Sequence, residues 1–96
     1  MGQVKNGSKA NWGYGMVETL SGSVTLKASD SGKLFLCAAA TVTLPSAADA
    51  GAGWHAKFVY KSGVSTVNSS GNIDGAGDFC EVVCDGSAFY NAKYIA

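Results

Sequence analysis

Short apolar runs alternate with clusters of Gly, Ser, Asn and Asp along the chain, and inside the runs the hydrophobic period is two rather than 3.6. From Ser23 onward, Val24, Leu26 and Ala28 fall on one side and Thr25 and Lys27 on the other, up to the turn signal Ser29-Asp30-Ser31-Gly32. Leu34, Leu36 and Ala38 then alternate with Phe35 and Cys37 in a run apolar on both sides. Residues 41–44 form a β-branched stretch closed by Pro45, so both segments predict strands well inside a sheet. Ser46 as an N-cap, Ala47-Ala48-Asp49-Ala50 and Gly51 as a stop leave room for one helical turn. Trp54, Ala56, Phe58 and Tyr60 alternate with His55, Lys57, Val59 and Lys61, the clearest amphipathic strand of the sequence. Further strand-like runs lie at 64–67, around Ile73, at 79–84 and at 88–95, separated by Asx- and Gly-rich turns.

Strands this short, recurring roughly every ten residues with turn chemistry between them, predict an all-β fold. The expectation is a small antiparallel β-sandwich or jelly-roll-like domain with at most one short helical turn. Residues 1–22 differ: Gly, Asn and Ser dominate, and Trp12, Tyr14, Met16 and Val17 are isolated apolar anchors. They are expected to form an extended N-terminal arm, with a short strand at 16–20 and Ser21-Gly22 as a turn, ahead of a β-domain over 23–96.

Composition narrows the classes of function. Seven Lys balance seven Asp and Glu, and Arg is absent, so the basic field and bidentate forks typical of nucleic-acid recognition are missing. No apolar run approaches the ~18 residues of a membrane helix, and no signal-peptide pattern follows the first lysines, so cytosolic synthesis is expected, with neither nucleic acid nor membrane as partner. Near-zero net charge suits a protein that ends up assembled.

Candidate chemistry is sparse. Cys37, Cys80 and Cys84 are an odd number for a disulfide framework. In a strand Cys80 and Cys84 would share a face about 13 Å apart, beyond the ~7 Å reach of a disulfide, so small buried hydrophobes is the favoured reading; a bridge from Cys37 to either one is the alternative. A zinc site lacks an assignable fourth ligand, since His55 is the single imidazole. Gly51-Ala52-Gly53-Trp54-His55-Ala56 matches the dinucleotide-binding pattern in letters, but a strand follows it where that motif needs a helix. No acid stands at a strand-compatible offset from His55 for a nucleophilic relay. Asn72, Asp74 and Asp78 read as an Asx-rich turn rather than a calcium loop. The expectation is a protein that is no enzyme and carries no cofactor or metal. Phe89, Tyr90 and Tyr94 are candidates for core, for a subunit interface, or for stacking on a sugar or peptide.

The series Thr41-Val42-Thr43-Leu44-Pro45, Gly51-Ala52-Gly53-Trp54, Lys57-Phe58-Val59-Tyr60-Lys61, Asn72-Ile73-Asp74-Gly75 and Glu81-Val82-Val83-Cys84-Asp85-Gly86, ending at Phe89-Tyr90, resembles a β-domain of tailed-phage virion proteins. That domain occurs in tail-fibre tips and in small capsid decoration, or cement, proteins. The resemblance covers residues 23–96, and a lone domain with a short arm fits the decoration proteins better. It implies a virion protein, often trimeric, that binds the major capsid protein on the outer surface at capsomer junctions and stabilises the expanded head. On this reading Trp12, Tyr14 and Met16 grip the shell while Phe89, Tyr90 and Tyr94 join subunits. A receptor- or glycan-binding module of a phage fibre is the alternative.

Overall fold

The computed structural model describes residues 16–67 and 71–95. They form one sheet of seven strands: β1 (Met16–Thr25), β2 (Lys33–Thr43), β3 (Ala52–Ser62), β4 (Ser65–Val67), β5 (Gly71–Ile73), β6 (Phe79–Asp85) and β7 (Phe89–Ile95). A 3₁₀ turn (Ala28–Asp30) joins β1 to β2, and a single helical turn, α1 (Ala47–Ala50), joins β2 to β3. The expected helical turn is therefore present, with the expected ends: Ser46 Oγ accepts the Asp49 N–H at 3.1 Å, and Gly51, at φ 80°, ends it. No helix of the described residues is long and apolar enough to cross a membrane.

The fold is mostly β, as expected, but the antiparallel sandwich or jelly roll is replaced by a single mixed sheet curled into a half-barrel. β1, β2 and β3–β4 run parallel to one another. The chain then reverses, so that β5 pairs with β4 and β6 with β3, both antiparallel, and β7 returns antiparallel to β6.

The physical reason lies in three left-handed backbone positions. Gly22 (φ 68°), Ala39 (φ 54°) and Gly63 (φ 65°) stand at corresponding places in the three parallel strands, where each strand turns a corner without leaving the sheet. Ser21-Gly22, expected to be a turn between strands, is such a corner inside β1. Likewise the runs on either side of Ala39 are one strand, and Gly63-Val64 separates β3 from β4 on the same side of β2. Between the aligned positions Ser21, Ala38 and Ser62 and the aligned positions Ser23, Thr41 and Thr66, β1 spends one residue, β2 two and β3–β4 three. The added residue in β2 disturbs the ladder there, and the buried Ser65 hydroxyl accepts the Ala40 N–H at 2.8 Å.

The short strand expected at 16–20 is present, but it runs on to Thr25, so that residues 16–22, expected in the arm, belong to the sheet; residues 1–15 lie outside the described part, as do 68–70 of the turn expected at 68–72, whose Gly71 and Asn72 stand in β5. Ala28, expected on an apolar strand face, sits exposed in the 3₁₀ turn instead.

The core fills the concave side. Phe35 and Phe58 are fully buried and stack at 5.3 Å between ring centroids, flanked by Cys37, Val42, Val67, Ile73, Cys80, Val82 and Cys84. Trp54 closes one end: its ring meets Phe89 edge-on at 5.6 Å, and its Nε1–H donates to the Lys27 carbonyl at 3.1 Å. The Trp54, Ala56, Phe58 face of β3 is the buried one, as its alternation predicts.

Candidate interaction surface

The groups that could carry chemistry are placed by the elements around them. Cys37, Cys80 and Cys84 are buried free thiols on β2 and β6. Burial pushes Cys37 up to about 11 and Cys80 up to about 12, the latter helped by Cys37 nearby, so neither is a ready nucleophile. Cys84 Sγ accepts the Gly86 N–H at 3.3 Å and faces the Ala47 carbonyl at 3.7 Å.

Three carboxylates, Asp30, Asp78 and Asp85, hold turns. Asp85 Oδ1 accepts the N–H groups of Ser87 (2.8 Å) and Ala88 (2.9 Å), which keep its carboxyl below the ordinary range and set the β6–β7 hairpin. The Asp85 carboxylate in turn raises the Tyr90 hydroxyl by hydrogen bonding to it. Asp78 Oδ2 takes the N–H groups of Asp74 and Gly75 at 3.1 and 3.0 Å, the Asx-type turn that the spacing predicts. Its carboxyl is lowered by the Asp74 N–H, while Asp74 is raised by its hydrogen bond to Asp78. At the sheet's other end, partial burial pushes Asp30 up. The hydrogen bonds from Lys33 and from the Lys27 N–H outweigh that effect and leave it below its usual value. Lys33 bridges Asp30 (2.7 Å) and Glu18 (3.2 Å), and those two contacts raise its own pKa. His55 is half-buried in β3, with Nδ1 3.0 Å from the Gly53 carbonyl and its backbone tied to Ser31 and Gly32.

What remains open is apolar surface, and its distribution is uneven. Among the described residues the exposed large hydrophobics are Met16, Val17, Val64, Tyr90, Tyr94 and Ile95. Five of these six lie on β1 or β7, the two ends of the ladder β1-β2-β3-β6-β7. At the start of β1 both faces are bare: Met16 is 59% exposed and Val17 64%. Register puts Val17, Leu34, Lys57, Glu81 and Lys93 in one row across the convex face, and Thr19, Leu36, Val59, Phe79 and Ile95 in the next. The two rows are stitched by Lys57 Nζ, 4.5 Å above the Phe79 ring.

The residues singled out from sequence take different places. Met16 opens β1 on the exposed edge, whereas Trp12 and Tyr14 lie outside the described residues. Phe89 packs on Trp54 and belongs to the core side. Tyr90 and Tyr94, four apart, would share a face in a regular strand. A bulge in the β6–β7 pairing separates them: Tyr90 pairs with convex-side Val83 and Tyr94 with buried Cys80. The Tyr94 hydroxyl donates to the Asn72 carbonyl (2.9 Å) and accepts the Asn72 N–H (3.2 Å), capping the outer edge of β5. The aromatics are thus not one stacking platform. Sequence reasoning named Val17 beside Met16 as an apolar anchor but missed Ile95 and the link between the two groups, because only the strand order reveals that they mark the ends of one sheet. Comparison with known protein families, with curated proteins and with solved structures finds no match to this chain.

Proposed function

We propose that this chain is a structural protein of a tailed-phage virion, which binds the major capsid protein on the outer surface at capsomer junctions and stabilises the expanded head. The observation that carries this reading is the contrast between engaged chemistry and open apolar edges. Buried thiols and turn-holding carboxylates serve the fold, while Met16, Val17, Tyr90 and Ile95 present hydrophobic surface at strands with room for another chain. The working arrangement is a homotrimer whose N-terminal segments, led by Trp12, Tyr14 and Met16, grip neighbouring capsid subunits, with the β7 side between copies. Fixing a segment on a partner costs about 1 to 2 kcal/mol for each residue newly ordered, and burying one large aromatic returns only about 4 to 6 kcal/mol. One segment is therefore marginal, and three on one oligomer add up through high effective concentration.

The test is to mix the purified protein with undecorated, expanded capsids. Saturable binding in a fixed ratio to the shell protein, with a higher heat-disruption temperature of the particle, is the expected result. Binding to host cells or to glycans with no effect on capsids points instead to a fibre adhesion module. Deletion of residues 2–15 is expected to abolish coating; a truncated chain that still coats the shell removes the gripping role of Trp12 and Tyr14.

A further inference from the structure

We propose that copies of this chain join edge to edge, β1 of one copy lying along β7 of the next, so that the sheet continues from molecule to molecule and closes into a ring. The inference deepens the self-association part of the proposed function, on which it rests, and is independent of any capsid.

Three observations carry it. The first is that no strand among the described residues pairs with the far side of β1 or of β7, although β1 is ten residues long and β7 seven. A third edge exists at β5, and there the Tyr94 hydroxyl occupies both the N–H and the carbonyl of Asn72. Among the described residues, one edge is closed by a side chain of the same molecule while the two longer ones are not.

The second is chemical. Exposed strand edges are ordinarily blunted by Lys, Pro or inward-pointing charge. Glu18 is the one charged residue in β1, and it is already bridged to Lys33; Lys93 is the one charged residue in β7. Beside these single charges, β1 exposes Met16 and Val17, and β7 exposes Tyr90, Tyr94 and Ile95. Both strands carry outward-facing residues of the same two convex rows: Val17 and Thr19 on one, Lys93 and Ile95 on the other. Setting one edge beside the other would extend those rows across the junction.

The third is direction. β2 and β3 run parallel to β1, β6 runs against β3, and β7 runs against β6, so β1 and β7 point the same way. Rotation about an axis along the strands preserves direction. Copies related by such an axis therefore bring β1 of one beside β7 of another as a parallel pair, a heterologous contact that closes when the rotation completes a circle. A two-fold pairing of β1 with β1 would leave the apolar β7 edge uncovered.

The test uses the full chain and two variants at exposed positions, Val17→Lys and Tyr90→Lys, with mass measured by light scattering and sedimentation. The wild type is expected to give a closed oligomer of fixed mass. Each variant alone is expected to run as a monomer at concentrations about 100-fold above those at which the wild type associates, with an unchanged far-ultraviolet circular dichroism spectrum. Mixed in equal amounts, the two variants should form a dimer of one copy each, because each retains the edge that the other lacks. If Val17→Lys lowers folding, Thr19→Lys is the substitute on the same edge. The proposal is overturned by a monomeric wild type, by a Tyr90→Lys protein that keeps the wild-type mass, or by variants that stay monomeric on mixing. If both variants keep the wild-type mass, association uses another surface; the edge junction is then lost while the capsid reading stands.

Discussion

The parallel half of the sheet, β1 with β2 and β3–β4, and the antiparallel half, β3 with β6 and β7, are built from the same kind of sequence and yet connected in opposite ways. In the antiparallel half a turn signal reverses the chain. Asp85-Gly86-Ser87 does so through the Asp85 carboxylate, which takes two backbone N–H groups of the turn. In the parallel half similar residues, Ser21-Gly22 and Ser62-Gly63, only bend the strand, and the return is left to the 3₁₀ turn and to α1. A small residue at positive φ permits either outcome. What separates the two is whether the next apolar run pairs beside the previous one or continues past a corner, a long-range matter that local pattern does not encode.

Substitutions can set the two halves against each other. The largest effect is expected where they meet. Phe58 on β3 stacks on Phe35 of the parallel half and pairs with Cys80 of the antiparallel half, and Phe58→Ala should cost about 3 to 5 kcal/mol in urea unfolding. Next comes the parallel half alone. A Cβ at Gly63 would lie 2.8 Å from that of Ala39, at a positive φ as well, so Gly63→Val should cost about 3 kcal/mol. Gly22→Ala, with nothing within 4 Å of the added atom, should cost only about 1 kcal/mol. Equal losses at the two glycines would break the account of the corner as a close-packed stack.

Ser65→Ala strands the buried Ala40 N–H and should cost about 2 kcal/mol. In the antiparallel half, Asp85→Ala is expected to lower the thermal midpoint by no more than a few degrees, and the pH dependence has a definite sign. The Asp85 pKa is depressed on folding, so its contribution is present above the ordinary value of 3.8 and fades as pH falls through the lower folded value. The variant should therefore lose less stability than the wild type on acidification below pH 3.8. The smallest effect is a gain: Ala39→Gly relieves a non-glycine residue at φ 54° and should add up to about 1 kcal/mol. It should also soften the penalty of Gly63→Val, a coupling that a double-mutant cycle reads directly.

Much of the secondary structure was legible because burial enforces the period: Trp54, Ala56 and Phe58 could face only one way. The one-turn helix was legible because Ser46 and Gly51 mark its ends. The parallel pairing was not. Strands joined by seven residues, 26–32, look like a hairpin until the corner at Gly22 shows that the chain has already turned. Of the surface residues, Met16 and Tyr90 could be suspected as isolated hydrophobes. The edge-capping place of Tyr94 and the core-side place of Phe89 depended on a bulge and on the position of Trp54, and neither has a local signature.

The widening bend across β1, β2 and β3–β4 has a consequence for how such a protein can grow. Each step along the stack inserts one residue more at the corner, so a bent neighbour added outside β1 would have none left to bend with. Duplicating the motif therefore cannot lengthen it into a uniform solenoid, unlike repeats of constant pitch.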